Sequence, residues 1–372
     1  MKRCFIGLLF IGSSVWGQDT TRMSIMFVGD IMQHDSQIAA AFDTLTKSYD
    51  YSSCFQYVRP YLDSADVTIG NLEVTLAGSP YKGYPRFSAP DELVTTLTDV
   101  GVDVLVTANN HCVDRGRKGL ERTIAVLDSF NISHTGTFVD TVNRLNDYPL
   151  IVDQKGFVLA ILNYTYGTNG MPVDKPNIVN LIDTTLIKKD LTRAKEVLPD
   201  AIIVFMHWGY EYQSMPNKFQ KEITDFCFRH GAKLVIGSHP HVLQPIEWRK
   251  ETDQLVAYSL GNFISGQRKR YTDGGVMLTV ELEKIAQPDS SSLTRIHTAS
   301  YDLEWVYRTS GRHKKYLILP ANQFDNVFLK EGNTSSSILT LPLLDQQAFS
   351  LFLEDSRSLF KKYNLNVEEN KK

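Results

Sequence analysis

Short apolar runs alternate with amphipathic stretches along this chain of 372 residues, and this alternation restricts its fold more than any other feature. Runs 24–28 and 201–206 are almost continuously apolar, as strands buried on both faces of a sheet are. Stretch 55–65 has apolar residues three and four positions apart, which predicts a helix. Strands that alternate with helices indicate an α/β fold with buried sheets. Further strands are predicted at 66–70, 103–108, 233–237 and 254–260, and further helices at 90–101, 118–130, 185–198 and 218–229.

The rest of the pattern adds antiparallel strands and a helix near the end of the chain. Residues 148–164 contain a central turn and predict a hairpin, and 275–282 and 295–306 alternate as antiparallel strands do. A helix is predicted around 346–363. A two-sheet sandwich flanked by helices accommodates both kinds of strand. The predicted division is one α/β domain and a C-terminal extension that ends in a helix, at 18–320 and 321–372.

The first residues have the layout of a secretory signal peptide. Lys2 and Arg3 give a positive start, residues 4–15 are apolar, and Gly17 supplies the small residue that ends the segment. The apolar stretch is shorter than the roughly 20 residues that span a bilayer. We predict that residues 1–17 are cleaved and that the protein is exported, periplasmic or secreted, with no transmembrane anchor. A buried first strand is the alternative interpretation.

Charge and cysteine content exclude two classes of protein. The formal net charge is −3, from 39 basic and 42 acidic residues, so no basic excess is available for a phosphate backbone and nucleic-acid binding is not expected. The four cysteines are too few for a disulfide scaffold of this length. Signal cleavage would leave Cys54, Cys112 and Cys227, an odd number, so at least one is free or pairs between chains.

Polar residues that bind metals or activate water follow several of the predicted strands directly. Ligand sites of α/β sheets lie outside the carboxyl ends of the strands, so these side chains are expected to converge. His239-Pro240-His241 is the strongest of these motifs, because two imidazoles across a proline have little structural use. The strand-end residues are Asp30, Glu73, Asn110 with His111, His207, His239 with His241, and Asn262.

The ligand types in this set indicate the metal. Oxygen and imidazole ligands without cysteine suit manganese, iron or zinc. The set is large enough to bind one or two divalent ions, because it contains a carboxylate that can bridge, several histidines and an asparagine carbonyl. Such ions polarise a phosphoryl or acyl oxygen and activate water. His111, beside Asn110, could then be the general acid for the leaving group.

Taken in order, the motifs resemble those of the CapA family, the poly-γ-glutamate capsule biosynthesis proteins, a branch of the metallophosphatase (calcineurin-like phosphoesterase) superfamily. The resemblance runs from about residue 24 to residue 267 and implies a four-layer αββα sandwich. The motifs are Gly29-Asp30, Gly70-Asn71-Leu72-Glu73, Ala108-Asn109-Asn110-His111 with Asp114 and Gly116, His207-Trp208-Gly209 with Glu211, Gly237-Ser238-His239-Pro240-His241 and Tyr258-Ser259-Leu260-Gly261-Asn262-Phe263.

For the first metal site, the resemblance implies Asp30 as a carboxylate ligand, Glu73 as the bridging carboxylate and His241 as a further ligand. The chain departs from the superfamily pattern twice. Met32 stands where the superfamily usually has a histidine ligand, and Glu73 replaces an aspartate that is one methylene shorter. Both departures point to a first site that is weaker or differently built, and they allow a single occupied metal.

For the second metal site, the resemblance implies Asn110, His207 and His239 as ligands and His111 as the catalytic histidine. Four other residues have open roles. Asp114, Glu211 and Asn262 either orient ligands or are ordinary turn residues. Arg86, in a loop rich in glycine and proline, either clamps an anionic substrate or is a solvated side chain.

Two functions from different classes follow from this site. The first is an exported metal-dependent hydrolase that cleaves a phosphoester or an amide in an anionic polymer. The second is a non-catalytic accessory component of poly-γ-glutamate or capsule synthesis or export that binds polymer, with other capsule-synthesis proteins as partners. His111 distinguishes the two functions. A hydrolase needs a catalytic acid such as this histidine, whereas a protein that only binds polymer needs the metal ligands at most.

Overall fold

The computed structural model describes residues 20–287, 289, 291–311, 314–328 and 339–370, and the predicted signal peptide lies outside them. None of the helices in these ranges has both the length and the apolar character needed to cross a membrane. Cys54, Cys112 and Cys227 are all free thiols.

The strands lie close to the positions that the apolar runs predict. In chain order they are β1 (Thr20–Ile31), β2 (Phe42–Asp43), β3 (Ser48–Tyr49), β4 (Val67–Leu72), β5 (Val104–Val106), β6 (Ser133–Thr135), β7 (Thr137–Phe138), β8 (Leu150–Gln154), β9 (Phe157–Thr165), β10 (Ile178–Val179), β11 (Ala201–His207), β12 (Leu234–Ser238), β13 (Leu243–Arg249), β14 (Gln254–Leu260), β15 (Asn262–Ile264), β16 (Gly274–Ala286), β17 (Ser292–Arg308), β18 (Tyr316–Pro320) and β19 (Glu368–Glu369).

The helices connect these strands and cover the sheets. They are α1 (Asp35–Ala41), α2 (Ser52–Phe55), α3 (Arg59–Leu62), α4 (Glu92–Asp99), α5 (Gly116–Ser129), α6 (Thr141–Asp147), α7 (Thr184–Glu196), α8 (Lys218–Arg229), α9 (Ala321–Phe328) and α10 (Leu343–Tyr363).

Two large sheets form the centre of the described structure. The first has nine strands in the order β18-β17-β16-β1-β4-β5-β6, with β15 beside β1 and β19 beside β17. The second has six strands in the order β13-β14-β12-β11-β9-β8. Four neighbouring strands in each sheet, β1-β4-β5-β6 and β9-β11-β12-β14, run parallel. Their carboxyl ends therefore lie together at one edge of each sheet, which is where α/β proteins place their sites.

Successive side chains along each strand point to opposite faces of the sheet, one towards the other sheet and the next towards the helices. On β1, Phe27 points between the two sheets, whereas Met26 joins the cluster on the outer face with α4. On β11, Phe205 points between the sheets and Val204 packs outward against α7 and α8. The rings of Phe27 and Phe205 are 5.7 Å apart, so the sheets pack directly on each other. This arrangement confirms the predicted αββα sandwich.

The helix predicted over 55–65 is wrong in detail, because α2 ends at Phe55 and the rest of this stretch contains only the short helix α3. Pro60 lies in the first turn of α3, where its missing N–H is not needed. In the middle of a continuous helix, the same residue would remove a hydrogen bond and clash with the preceding turn.

The C-terminal segment packs onto the same core. Phe349, Phe352 and Phe360 of α10 belong to the apolar cluster between the sheets. After α10 the chain continues into β19, which pairs with β17, so the helix is not the last element. The proposed division at residue 320 stays a prediction.

The inter-sheet contact leads to a prediction about stability. Phe205→Ala should destabilise the protein by about 3–5 kcal/mol, because it leaves a cavity between two sheets that cannot close around it. Chemical denaturation of the variant and the wild type measures the difference.

Phe219→Ala is the matched control, because this ring on α8 is 45% exposed. It should cost much less stability than Phe205→Ala. Equal losses in the two variants would contradict the inter-sheet core.

Candidate metal centre

The predicted site residues come from strand ends in both sheets. Asp30 is the penultimate residue of β1 and lies opposite Asn71 of β4. Glu73 follows β4 directly, and His207 ends β11 opposite Ser238 of β12. Since the sheets are packed face to face, these strand ends meet in one buried place.

His239 and His241 lie in the turn that follows β12. Both have left-handed backbones, with φ of +97° and +56°, a conformation that costs energy in residues other than glycine. The His239 N–H donates to Oδ2 of Asp30 over 3.3 Å, which ties the turn to the first sheet. The surrounding structure thus holds both imidazoles in a strained turn, as is common at functional sites.

The Glu73 carboxylate is at the centre of the cluster. Its Oε1 is 3.6 Å from Nε2 of His207 and 3.8 Å from Nε2 of His241, and the side chain is fully buried. Neither carboxylate oxygen has a hydrogen-bond partner among the described residues. Burial, followed by the nearby charge of Asp30, raises the pKa of Glu73 well above its usual value. A buried carboxylate without partners is costly, and a bound cation would remove that cost.

Asp30 and Asn262 determine which nitrogen of His241 faces the cluster. Nδ1 of His241 is 3.0 Å from Oδ2 of Asp30 and 3.1 Å from Oδ1 of Asn262. Both oxygens are acceptors, so Nδ1 carries the proton and donates it. The lone pair is then on Nε2, the nitrogen that faces Glu73. This is the usual arrangement of a metal-binding histidine and its supporting carboxylate.

His207 and His239 complete the group. Nε2 of His207 is 3.0 Å from Oδ1 of Asn110, and the His207 and His239 rings are 4.7 Å apart. Burial lowers the pKa of His239 to about 3 and that of His207 well below its usual value, so both are in the neutral form that ligates metals. Nδ1 of His239 is buried without a hydrogen-bond partner.

Two overlapping sets of ligand atoms result, each with its atoms within 4.8 Å of one another. One set is Glu73, His239 and His241, and the other is Asp30, Glu73 and His207. Glu73 belongs to both, which fits the bridging role that the resemblance implies. The sets differ from the implied grouping of the other ligands, because the second places His207 with Asp30. The donors are carboxylate oxygens and imidazole nitrogens, so they suit manganese, iron or zinc.

His111 directly follows Asn110 in the chain and is paired with a carboxylate. Its Nδ1 is 2.7 Å from Oδ2 of Asp114, the same oxygen that accepts the N–H of Phe87 over 2.7 Å. The Phe87 ring packs edge-on against His111 with centroids 4.7 Å apart. Asp114 therefore orients the imidazole and places the proton on Nδ1, the geometry of a histidine that exchanges protons through Nε2.

Two of the predicted residues are exposed, unlike the buried cluster. Glu211 belongs to neither ligand set, but after burial and Asp30 its charge also raises the pKa of Glu73. Arg86 is also exposed, and its Nη2 contacts Sδ of Met171 at 3.4 Å. The roles assigned to these residues, and to the ligands themselves, remain predictions.

Two contributors were missed at the sequence level. Asn71 donates to Oδ1 of Asp30 over 2.8 Å, although the motif that contains it was assigned a role only for Glu73. The Tyr166 ring lies 4.6 Å from that of His239. Tyr166 directly follows β9, so the strand-end rule that selected the other residues would have selected it too.

Comparison with known proteins identifies relatives of this chain. Capsule biosynthesis protein CapA of Bacillus anthracis is 30% identical over 266 residues, which cover 67% of this chain and 61% of that protein. PGA biosynthesis protein CapA of Bacillus subtilis is 30% identical over 272 residues, covering 70% and 68%. Among solved structures, a 5'-nucleotidase from Candida albicans aligns with 72% of this chain and 52% of its own length at 10% identity, with a TM-score of 0.39, too low to carry an argument.

The family model described as bacterial capsule synthesis protein PGA_cap matches residues 24–267. This is the segment over which the strand-end motifs occur, and it contains every residue of the two ligand sets. The chain therefore belongs to the PGA_cap family of bacterial capsule synthesis proteins, as the motifs led us to expect.

Proposed function

We propose that this protein is an exported metal-dependent hydrolase of capsule or poly-γ-glutamate metabolism. It cleaves a phosphoester or amide bond in an anionic polymer. The observation that supports this most strongly is the buried Glu73 carboxylate, which lies near His207, His239 and His241 and has no hydrogen-bond partner in the described part of the chain. The similarity to proteins named for capsule and PGA biosynthesis supports an anionic polymer as the substrate.

In this proposal each residue has one task. Glu73, Asp30 and the three histidines hold one or two divalent ions, and Asn110 adds an amide oxygen. When bound, the ion supplies Lewis acidity and a water of lowered pKa. As an imidazolium, His111 would give the leaving group the proton on its Nε2, while the Nδ1 N–H stays bonded to Asp114, which orients the ring and stabilises its positive charge.

Exposed cations beside the cluster support an anionic substrate. Nζ of Lys269 lies 3.9 Å from the centre of the Tyr212 ring, and that ring is 6.3 Å from the ring of His241. Arg86 is next to Phe87, which packs on His111. Lys269 and Arg86 thus bring positive charge close to the candidate centre of a chain with net charge −3, where the exposed Glu211 beside Tyr212 places a negative charge as well. A polymer of carboxylates or phosphates would be attracted there.

The alternative is a non-catalytic accessory component that binds the polymer. A relative in Mycobacterium tuberculosis, 27% identical over 208 residues and covering 50% of this chain and 52% of its own length, is named a "Probable polyglutamine synthesis accessory protein". Against this alternative, the His111–Asp114 pair is oriented for proton transfer, which a binder does not need.

The metal site can be tested by removing the charge of Glu73, the carboxylate that both ligand sets share. Glu73→Gln keeps the size of the side chain, and it should lose the divalent ion because both ligand sets depend on this carboxylate. Chelator-stripped protein is incubated with Mn²⁺ or Zn²⁺ and desalted, and its metal content is measured by elemental analysis. The wild type should retain metal and Glu73→Gln should retain far less.

Glu304→Gln is the matched control. Glu304 on β17 is also buried with both carboxylate oxygens unpartnered, and burial raises its pKa, yet it belongs to neither ligand set. This variant should retain as much metal as the wild type. Equal retention by Glu73→Gln and Glu304→Gln would rule out the proposed centre.

The catalytic role of His111 has its own test. His111→Gln should lower hydrolysis of an activated phosphodiester or a γ-glutamyl anilide by about 10²–10⁴-fold, the usual effect of losing a general acid, with metal content unchanged. Steady-state rates of the metal-loaded proteins measure this. His134→Gln, at a histidine that pairs with Asp128 over 3.0 Å, should keep the wild-type rate. Wild-type activity in His111→Gln would contradict the catalytic role, and a loaded wild type that binds polymer without turnover would favour the accessory alternative.

Binding of the polymer should depend on Lys269. Lys269→Gln is expected to weaken binding of poly-γ-glutamate severalfold at low salt, with a smaller effect at high salt because exposed charges are screened. Polymer binding measured at both salt concentrations checks this. Lys250→Gln is the control, since Nζ of Lys250 also lies over an aromatic ring, that of Trp248, at 4.6 Å. Equal weakening in the two variants would point to general charge instead of a local site.

A further inference from the structure

The loop that follows β9, residues 166–171, covers part of the candidate centre. Tyr166 begins the loop, and its N–H donates to the carbonyl of His207 over 2.9 Å. Its ring is 4.6 Å from that of His239 and lies nearly parallel to that of His207. The loop is therefore tied to the strand that supplies a candidate ligand. Neither the sequence motifs nor the proposed chemistry assigns it a role.

Within this loop, Asn169 forms a hydrogen-bonded triangle with two other side chains. Its Oδ1 accepts from Nδ2 of Asn110 over 3.3 Å and from the hydroxyl of Tyr166 over 3.3 Å. The Asn110 amide is also close to the Tyr166 hydroxyl: burial raises the pKa of that hydroxyl, and Asn110 opposes the shift. A carbonyl oxygen has two lone pairs, so the two donors satisfy Oδ1 of Asn169 completely.

This triangle determines which end of the Asn110 amide faces the centre. Because Nδ2 of Asn110 points to Asn169, its Oδ1 points the other way, where it lies 3.0 Å from Nε2 of His207. That nitrogen is also 3.6 Å from Oε1 of Glu73. With the amide reversed, the NH₂ group would face the centre, and an NH₂ group cannot ligate a cation.

We propose that Asn169 is a positioning residue whose side-chain oxygen holds the Asn110 amide with its oxygen towards the metal. The proposal rests on the proposed function, because Asn110 is a ligand only if the centre binds metal. Partners of this kind orient metal ligands, and their loss typically lowers metal affinity by 10–100-fold.

The backbone of Asn169 allows a clean test. Its φ is +51°, in the left-handed region that glycine and asparagine adopt with least strain. Asn169→Gly therefore removes the side chain and preserves the turn. Asn169→Asp keeps an acceptor oxygen at the same place. Asn131→Gly is the matched control, because Asn131 is exposed and has φ of +53° at the end of α5, outside both ligand sets.

The experiment titrates Mn²⁺ into chelator-stripped protein by isothermal calorimetry. We expect Asn169→Gly to bind Mn²⁺ about tenfold more weakly than the wild type, with an unchanged melting temperature for the metal-free protein. Asn169→Asp should bind within a few-fold of the wild type, and Asn131→Gly should bind as the wild type does. If Asn169→Asp keeps the Mn²⁺ affinity that Asn169→Gly loses, the effect comes from positioning Asn110 and not from a general change in the loop.

Wild-type affinity in Asn169→Gly would overturn this inference and leave the proposed centre intact. Equal weakening in Asn169→Gly and Asn169→Asp would also overturn it, since an acceptor oxygen would then not be what matters. Failure of the wild type to bind Mn²⁺ or Zn²⁺ would instead overturn the proposed function, and the inference with it.

Discussion

A buried carboxylate surrounded by imidazoles is the feature on which the account depends. Glu73 is fully buried and neither of its oxygens accepts a hydrogen bond from a described residue, yet His207 and His241 approach it to within 4 Å. An ionised group in this position is destabilising unless a counter-charge accompanies it. Burial keeps His207 in its neutral form, so its ring cannot supply that charge, whereas a divalent cation can. The buried cluster could therefore hold a metal ion.

The architecture of the two sheets makes this centre possible. Asp30 and Glu73 come from the first sheet, whereas His207, His239 and His241 come from the second. The ligands meet only if the sheets keep a fixed alignment, and the apolar layer between them provides it. This chain thus places the polar residues of the cluster at the rim of the apolar layer between its sheets.

Local patterns predicted much of the fold and most of the site. The run 201–206 forms a strand whose apolar residues are buried on both faces of the sheet. His207, the polar residue after this run, is the last residue of the strand. No strand was predicted at 243–249, where the structure has β13 with Pro245 inside it. Proline is tolerated there since β13 is an edge strand, a property of the assembled sheet that no local window contains.

The contacts between side chains could not be predicted from the sequence for a similar reason. The left-handed turn at His239 and His241, and the triangle of Asn110, Tyr166 and Asn169, join residues that are far apart along the chain. Sequence periodicity describes which face a residue occupies, but not which distant partner faces it. The ligand types could therefore be listed from the sequence, whereas their grouping into two overlapping sets required the structure.

Anomalous diffraction from crystals of the zinc-loaded protein tests the central claim most directly. The account predicts a zinc peak at one or both of the two ligand sets, Glu73 with His239 and His241, or Glu73 with Asp30 and His207. Metal–ligand distances should be about 2.0–2.2 Å to carboxylate oxygen and imidazole nitrogen. A crystal in which these side chains keep the positions described and zinc binds elsewhere, or nowhere, would contradict the account.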